Sequence, residues 1–463
     1  MKVIILAGGG GTRLFPLSRK RRPKQFLHIN KNKSLLAETV ERFRQLVKAE
    51  DIVIVTGRDY LFSVQSELAE CDASAVHIVL ESAARNTAPA IALAAQYCCD
   101  VLGGSEDEAL FVAPSDHIVR PISVYGDMVQ KAAGKAREGQ FVVFGAEAVR
   151  PETGFGYIEA GEKQSDKTYK IKAFKEKPDK ATAVEYIKKG NYFWNAGMFC
   201  FTWHTYREEL RKYAEPVYRC ILETYAQTAA AFSKMPGISI DYAVAEKTQR
   251  GVMVPLDLYW NDVGSWDALY EVLDKDSSGN AIKGDCISVN CSDSLLWGQS
   301  RLIAGIGLKD IMVVETDDVI LVAQKGESQH VREIVNRLKA RGRREVDEHT
   351  TIYYKWGYAT LLNEGTGYRM KKLTINPGGV LPEKMHYHRA VHWIVTRGAA
   401  LVGINGQVRM MHSNESVFIP MTTPYKIENP GKVPLIIIEV SSGEYLGEDD
   451  EKFISSEKDV IKG

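Results

Sequence analysis
Five short apolar runs, VIILAG, DIVIVTG, HIVLES, ALFVAPSDH and FVVFGA, recur through residues 3–146, with amphipathic stretches such as LLAETVERFRQLV between them. Continuous apolar runs alternating with helical periodicity predict βαβ units and an α/β domain on a mixed, mostly parallel sheet. Ligands of such sheets sit beyond the carboxyl ends of the strands. The chain places there a glycine-rich loop after the first run, the segment 114–117 and Gly145.

At 463 residues the chain exceeds one hydrophobic core, which predicts two or three domains. Its 59 lysines and arginines are balanced by 59 aspartates and glutamates, so no nucleic-acid or membrane-surface partner is expected. Seven cysteines without paired metal-type spacing point to reduced thiols and a cytoplasmic location. No stretch approaches the ~20 apolar residues of a membrane span. After Asp274 the pattern changes: CISVNC, RLIAGIG, IMVVET and VILVAQ are brief strands separated by Asn, Asp and Gly turns, predicting a small β-solenoid or sandwich. The basic stretch HVREIVNRLKARGRRE reads as a connecting helix. Residues 353–447 alternate as strands around PGG, NGQ and NPGK turns, a separate all-β domain. The expected division is 1–275, 276–345 and 346–463.

The stretch LAGGGGTRLFPLSRKRRPKQFL concentrates glycine and positive charge in one loop. Gly8, Gly9, Gly10 and Gly11, with Thr12, let backbone N–H groups approach phosphate oxygens, while Arg13 and Lys24 supply charge to a polyphosphate. A Walker loop would close its glycines with GK[ST]; here Thr12, Arg13 and Leu14 follow, and no GxGxxG is present. Pro16 and Pro23 fix φ and interrupt a helix, so residues 19–22 read as a shaped arm over the site, some for ligand contact and some for solubility.

With SAARNTAPAIALAA, APSDHIV, FGYIEAG, FKEKPD, FWNAGMF, SIDYAVAEKT and WNDVGSWDALYEV following in order, this stretch resembles the nucleotide-sugar pyrophosphorylases, and PKQFL points within them to the mannose-1-phosphate guanylyltransferases. The resemblance spans essentially the whole chain. It implies a Rossmann-like nucleotidyltransferase domain, GTP and mannose 1-phosphate as substrates, and Mg²⁺ held by Asp116 and Asp262, which with Arg13 and Lys24 form the implied catalytic set. Arg85, Asn86 and Thr87 are the base-side candidates. Glu176 is implied for sugar hydroxyls, Lys177 for the sugar phosphate and Asn195 for the hexose, with Gly154 and Gly156 permitting close approach. FWNAGMF is expected as a sugar-contact turn and SIDYAVAEKT as part of a long helix. Ala84 and Phe15 stand where the family has glycine and tryptophan. Uridylyl or thymidylyl transfer to glucose 1-phosphate has the same chemistry and differs only in base and sugar contacts; a non-catalytic nucleotide-binding protein is the further alternative.

PGGVLPEKMHYHRAVHWIVTRG resembles the first cupin motif of the type II phosphomannose isomerase domain fused to many such transferases, which implies a C-terminal cupin-like β-barrel. The family pattern QxHxHRxEHW reads KMHYHRAVHW here. His386 and His388 keep the pair, whereas Lys384 replaces glutamine, Val391 replaces glutamate, and Tyr425 and Lys426 stand for a later His-Arg. A valine ligates no metal, and isomerisation needs carbonyl polarisation and a base. His392 and His412 are the remaining candidates for a rescued metal site. The barrel itself is expected to persist, serving homo-oligomer contacts or supporting the transferase half. A bifunctional isomerase and transferase is therefore disfavoured: fructose 6-phosphate supplied with divalent metal should yield no mannose 6-phosphate in a coupled assay, and its formation at an enzymatic rate would reverse this reading.

Overall fold
Strand β1 (Lys2–Leu6) is apolar on both faces, and this decides its place at the interior of a sheet covered on both sides. Val3 and Ile5 enter one core with Phe43, Ile54 and Phe111, while Ile4 enters a second with Val53, Ile91 and Leu110. The computed structural model describes residues 1–9, 11–29 and 33–454. Gly10, one of the candidate loop glycines, lies outside these described residues.

Around β1 run β2 (Ile52–Gly57), β3 (His77–Glu81) and β4 (Ala109–Pro114), all parallel, in the order β3-β2-β1-β4. Helices α1 (Leu35–Arg44), α2 (Leu61–Glu70) and α4 (Ile122–Arg137) supply side chains to the first core, and α3 (Thr87–Asp100) to the second. Helix α1 starts where its sequence provides a cap: the Ser34 hydroxyl accepts from the Ala37 N–H at 3.1 Å. Further along are β5 (Ile118–Arg120), β6 (Phe141–Glu147), β7 (Tyr157–Lys163), β8 (Tyr169–Lys175), β9 (Tyr192–Thr202), β10 (Gly251–Pro255) and β11 (Tyr259–Asn261). The nine-stranded sheet continues from β4 as β9-β6-β10-β8-β7, with β9 antiparallel to both β4 and β6. The α/β domain with a mixed sheet is thus as expected.

Two local expectations change. FWNAGMF is no turn but lies within the 11-residue strand β9, whose aromatic and apolar side chains fill both cores; Gly197, at φ +68°, supplies the local kink. SIDYAVAEKT forms a single π-helical turn, Asp241–Ala245, instead of a long helix.

The strands Ala281–Lys283, Leu295–Gly298 and Ile311–Glu315 stack in parallel, as do Cys286–Val289 and Ile303–Ile306, giving the coils of a β-solenoid. Gly284 turns one corner at φ +89°, where a Cβ would lie 1.9 Å from the Gly298 carbonyl. The solenoid belongs to the same compact unit as the α/β sheet: residues 1–315 with 320–337. The second unit, 316–319 with 338 onward, contains antiparallel sheets of six and five strands around Trp393, Ile375, Val402 and Ile427, the expected β-barrel core. Among the described residues no helix is long and apolar enough to cross a membrane.

Gly145 in β6 is paired with Asn195 of β9 and has no room for a side chain: a Cβ there would lie 2.4 Å from Met253 Sδ and 2.9 Å from Phe193 Cβ. Gly145→Ala should therefore cost about 1–3 kcal/mol through overpacking, read as a lower midpoint in urea or thermal unfolding; an unchanged midpoint would show that Met253 swings clear without penalty.

Candidate active site
The loop after β1 is held from three directions. Gln25 Nε2 donates to the Ala7 carbonyl at 3.0 Å, Trp266 Nε1 donates to the Phe15 carbonyl at 2.9 Å, and the wholly buried Arg19 donates through Nε to the Pro16 carbonyl at 3.0 Å. Arg19 thus builds the arm from inside. Lys24 begins a short 3₁₀ turn, Lys24–Phe26, behind Pro23. Its Nζ lies 2.8 Å from Asp116 Oδ2 and donates to the backbone carbonyl of Asp262.

Strand pairing brings the two aspartates together. Antiparallel β5 and β11 set Asn261 opposite Ile118, so Asp262, the next residue, arrives beside the segment that holds Asp116. The turn after β11 is strained: Val263 has φ +49°, unusual for a β-branched residue, and is held by its N–H donating to Asn261 Oδ1 at 2.7 Å. Asp262 Oδ1 accepts from the Gly264 N–H at 3.1 Å. Burial pushes the Asp116 carboxyl up, but the Lys24 ammonium, through its charge and a hydrogen bond, offsets it and holds the group below the usual carboxylate range. Burial drives the adjacent His117 down to about 4, so its ring is neutral, and its Nδ1 pairs with Trp260 Nε1 at 3.2 Å. The His117 carbonyl accepts from buried Arg42 at 2.8 Å. His117, Trp260 and Arg42 support the aspartate loop, a role with no sequence signal of its own.

These groups open onto a cavity of about 450 Å³ that also receives Gly8, Gly9, Gly11, Arg85, Asn86, Thr87, Gly154, Gly156, Glu176 and Asn195. Most of the sequence-identified residues therefore converge on one space. Arg13 lines an adjoining space of about 880 Å³ with Arg150 and Arg332; Gly154, Phe155 and Asp262 border both. Thr12 contributes its carbonyl to the turn, accepting from the Phe15 N–H at 3.1 Å. Lys177, at φ +43°, pairs with Glu176 at 2.9 Å and is half exposed.

One end of the cavity is acidic. A Cβ on Gly156 would sit 2.5 Å from Glu176 Oε2, so glycine is what leaves that carboxylate accessible. Asn195 Nδ2 donates to Asp241 Oδ1 at 2.9 Å. Burial, then the neighbouring Glu176 charge, raises the Asp241 carboxyl to about 6. Asp241 was not singled out in the sequence; only its place in SIDYAVAEKT could have flagged it. At the other end, Asn86 Oδ1 accepts from the Thr87 N–H at 2.8 Å and caps α3, whereas Thr87 Oγ1 accepts from the Ile240 N–H at 2.9 Å and holds the turn before Asp241. Arg85 donates to the Ser233 carbonyl. Glu81, at the end of β3, lines this end, and burial raises its carboxyl to about 7.

Asp116 and Asp262 offer hard oxygen donors across Lys24, and among the described residues no group of three or more His, Cys, Asp or Glu forms a closed metal cage. Two carboxylates beside an open cavity fit a cation such as Mg²⁺, which keeps waters and takes further oxygens from phosphates. In the barrel of the second unit the side chains at the candidate ligand positions are otherwise engaged. The Tyr425 hydroxyl occupies His386 Nε2 at 2.7 Å, Lys384 is paired with Glu451, and Val391 is buried in the apolar core. His388 turns outward onto Asp450 at 2.7 Å, and His392 and His412 are exposed.

Residues 2–279 match the family described as Nucleotidyl transferase, 284–338 the MannoseP isomerase/GMP-like beta-helix domain, and 341–455 Mannose-6-phosphate isomerase C-terminal. The chain is 40% identical over 462 residues to a protein of Salmonella montevideo named mannose-1-phosphate guanylyltransferase, covering 96% of this chain and 97% of that one. It is 40% identical over 459 residues to the alginate biosynthesis protein AlgA of Pseudomonas aeruginosa, covering 96% and 95%. A crystal structure from Thermus thermophilus, named a mannose-1-phosphate geranyltransferase, aligns with TM-score 0.67 at 34% identity over 73% of this chain and 99% of that one.

Asp241 gives a test independent of turnover. Its folded carboxyl titrates at about 6, above the 3.8 of an unperturbed aspartate, so the folded protein releases the proton later than the unfolded chain. Stability then declines as pH rises from about 4 to 6 and stays at that lower level above. Asp241→Asn, which keeps an acceptor for Asn195, should stabilise by on the order of 1–3 kcal/mol at pH 7 and by nothing measurable below pH 4; denaturation midpoints of the two proteins across pH 4–8 would decide it.

Proposed function
We propose, for a chain that belongs to the nucleotidyl transferase family, that it transfers the GMP group of GTP to α-D-mannose 1-phosphate and releases GDP-mannose and pyrophosphate. The observation carrying this reading is Lys24, poised between the Asp116 carboxylate and the Asp262 carbonyl beneath the glycine loop, in a cavity that also holds the acidic end. A phosphate oxygen of the sugar phosphate attacks the α-phosphorus, the bond to the bridging oxygen of the β-phosphate breaks, and pyrophosphate leaves with the electron pair. Both reactants are anions, so the task is positioning and charge neutralisation. Lys24 supplies one fixed positive charge, the loop N–H groups receive phosphate oxygens, and Arg13 and Arg150 in the adjoining space attract the departing diphosphate. Mg²⁺, held by Asp116 and Asp262, would neutralise further phosphate charge.

Base and sugar choice follow from the two ends. Guanine presents two neighbouring donors, N1–H and the exocyclic amine, and a carboxylate such as Glu81 accepts both, whereas uracil and thymine offer a single N–H. Glu176, Asp241 and Asn195 suit a set of sugar hydroxyls. All seven cysteines are free, in keeping with a cytoplasmic location, and the barrel carries no isomerase chemistry.

A matrix of GTP, ATP, UTP and dTTP against mannose 1-phosphate and glucose 1-phosphate, scored by pyrophosphate release, should give its highest kcat/KM for GTP with mannose 1-phosphate, by a factor of about ten or more; a preference for UTP or dTTP with glucose 1-phosphate would overturn the assignment. Asp262→Ala should abolish Mg²⁺-dependent turnover while moving the thermal midpoint by no more than about 4 °C, and near-normal turnover would remove Asp262 from the metal site.

A further inference from the structure
We infer that His117 binds the acceptor substrate: its Nε2–H donates to a phosphate oxygen of the hexose 1-phosphate. This role presupposes the transferase reading above and gives the sugar phosphate a named donor. Hydrogen bonding fixes the tautomer. Trp260 Nε1, an indole N–H that only donates, lies 3.2 Å from His117 Nδ1. Nδ1 therefore accepts, and the ring carries its single proton on Nε2. A T-shaped contact with the Trp260 ring, 5.6 Å between centroids, holds the imidazole plane.

Among the described residues nothing accepts that proton. Asp116 Oδ1 lies 3.9 Å from Nε2, beyond hydrogen-bond reach, and the other carboxylate oxygen, Oδ2, is held by Lys24 at 2.8 Å. The ring lines the active-site cavity, and its side chain keeps 12% of its surface exposed. A donor turned to a confined space without an acceptor is costly to leave unmet, and a charged acceptor repays it best.

Position selects which phosphate this donor meets. On one side of the ring stand Asp116 and Lys24; on the other is the kink of β9, where a Cβ on Gly197 would lie 3.8 Å from His117 Cε1. Glycine there leaves that ring edge uncovered. Asn195 Oδ1 accepts from the Gly197 N–H at 3.1 Å while its Nδ2 donates to Asp241, which ties the kink to the acidic end. His117 thus stands between the aspartates and the group suited to sugar hydroxyls, where the phosphate of a sugar 1-phosphate belongs. One oxygen of that phosphate attacks the α-phosphorus, and another is free to accept from Nε2–H. A neutral donor holds it while drawing less electron density from the nucleophile than an ammonium would.

Steady-state kinetics of full-length His117→Leu and His117→Gln test this. Loss of a donor to a charged acceptor should raise KM for mannose 1-phosphate about 10- to 100-fold in His117→Leu, while KM for GTP and the Mg²⁺ activation constant move by less than about twofold. His117→Gln, whose amide nitrogen also donates, should recover most of the loss. A raised Mg²⁺ constant with an unmoved mannose 1-phosphate KM would make His117 a support for Asp116 and overturn the proposal. Wild-type protein carrying ¹⁵N-labelled histidine gives a reading that needs neither variant nor turnover. GDP-mannose, bound to saturation by calorimetry, should move the His117 Nε2–H proton downfield, and GMP should not. An unmoved signal, or an equal shift with GMP, refutes the contact with the sugar phosphate. Should turnover select another nucleotide and hexose 1-phosphate, the substrate reading fails, and the KM ratio for that hexose 1-phosphate still decides the role of His117.

Discussion
The ammonium of Lys24 ties together three pieces of chain that are far apart in sequence: the glycine loop after β1, the loop bearing Asp116 and the strained turn bearing Asp262. Each alone is a weak feature. Two carboxylates facing an anionic substrate would repel it, and a glycine loop alone binds phosphate loosely. A fixed cation between them holds Asp116 ionised and leaves the two carboxylates and the ammonium with a single net negative charge. Much of the surrounding architecture serves this contact. The β5–β11 pairing brings the aspartates within reach, the neutral His117 ring packs beside Asp116 without adding a second charge, and Trp266 and Arg19 brace the loop from below.

The C-terminal barrel has a core that packing alone specifies. Its core is specified by alternating apolar residues, and Val391 joins that core instead of a metal. Tyr425 pairs with His386 Nε2 and Lys384 with Glu451, so both side chains are engaged inside the barrel. Packing depends on volume and period, whereas ligation depends on individual lone pairs, so the barrel core does not depend on which residues stand at 384 and 425.

The opening sheet was legible because β1 to β4 are continuous apolar runs between amphipathic helices. The solenoid and barrel were legible from strand length and turn residues. FWNAGMF misled because Asn and Gly in its middle carry turn propensity; burial of Trp194, Met198 and Phe199 between two strands overrides it. The long-helix reading of SIDYAVAEKT failed because Thr87 takes the Ile240 N–H and fixes where that turn begins. Asn86 and Thr87 line the cavity, but the Asn86 side chain caps α3 and the Thr87 hydroxyl holds the Ile240 N–H, roles that no spacing rule separates from ligand contact. Glu81 and Asp241 escaped notice since an acidic residue at a strand or helix end is ordinary until its burial is known.

What the sequence by itself determined is the set of parts: an α/β sheet with a glycine-rich basic loop, two candidate metal carboxylates, a candidate acceptor segment, a solenoid and a barrel. These follow from periodicity and residue type, which are local properties. Only the tertiary structure decided which parts meet: Lys24 with Asp116 and Asp262, Asn195 with Asp241, Arg13 in a neighbouring space, and Lys371 opposite Glu439 in the barrel. The physical reason is that charge pairing, burial and the resulting pKa shifts depend on distances of a few ångströms between residues more than 200 positions apart, 238 for Lys24 and Asp262, and no local pattern encodes those distances.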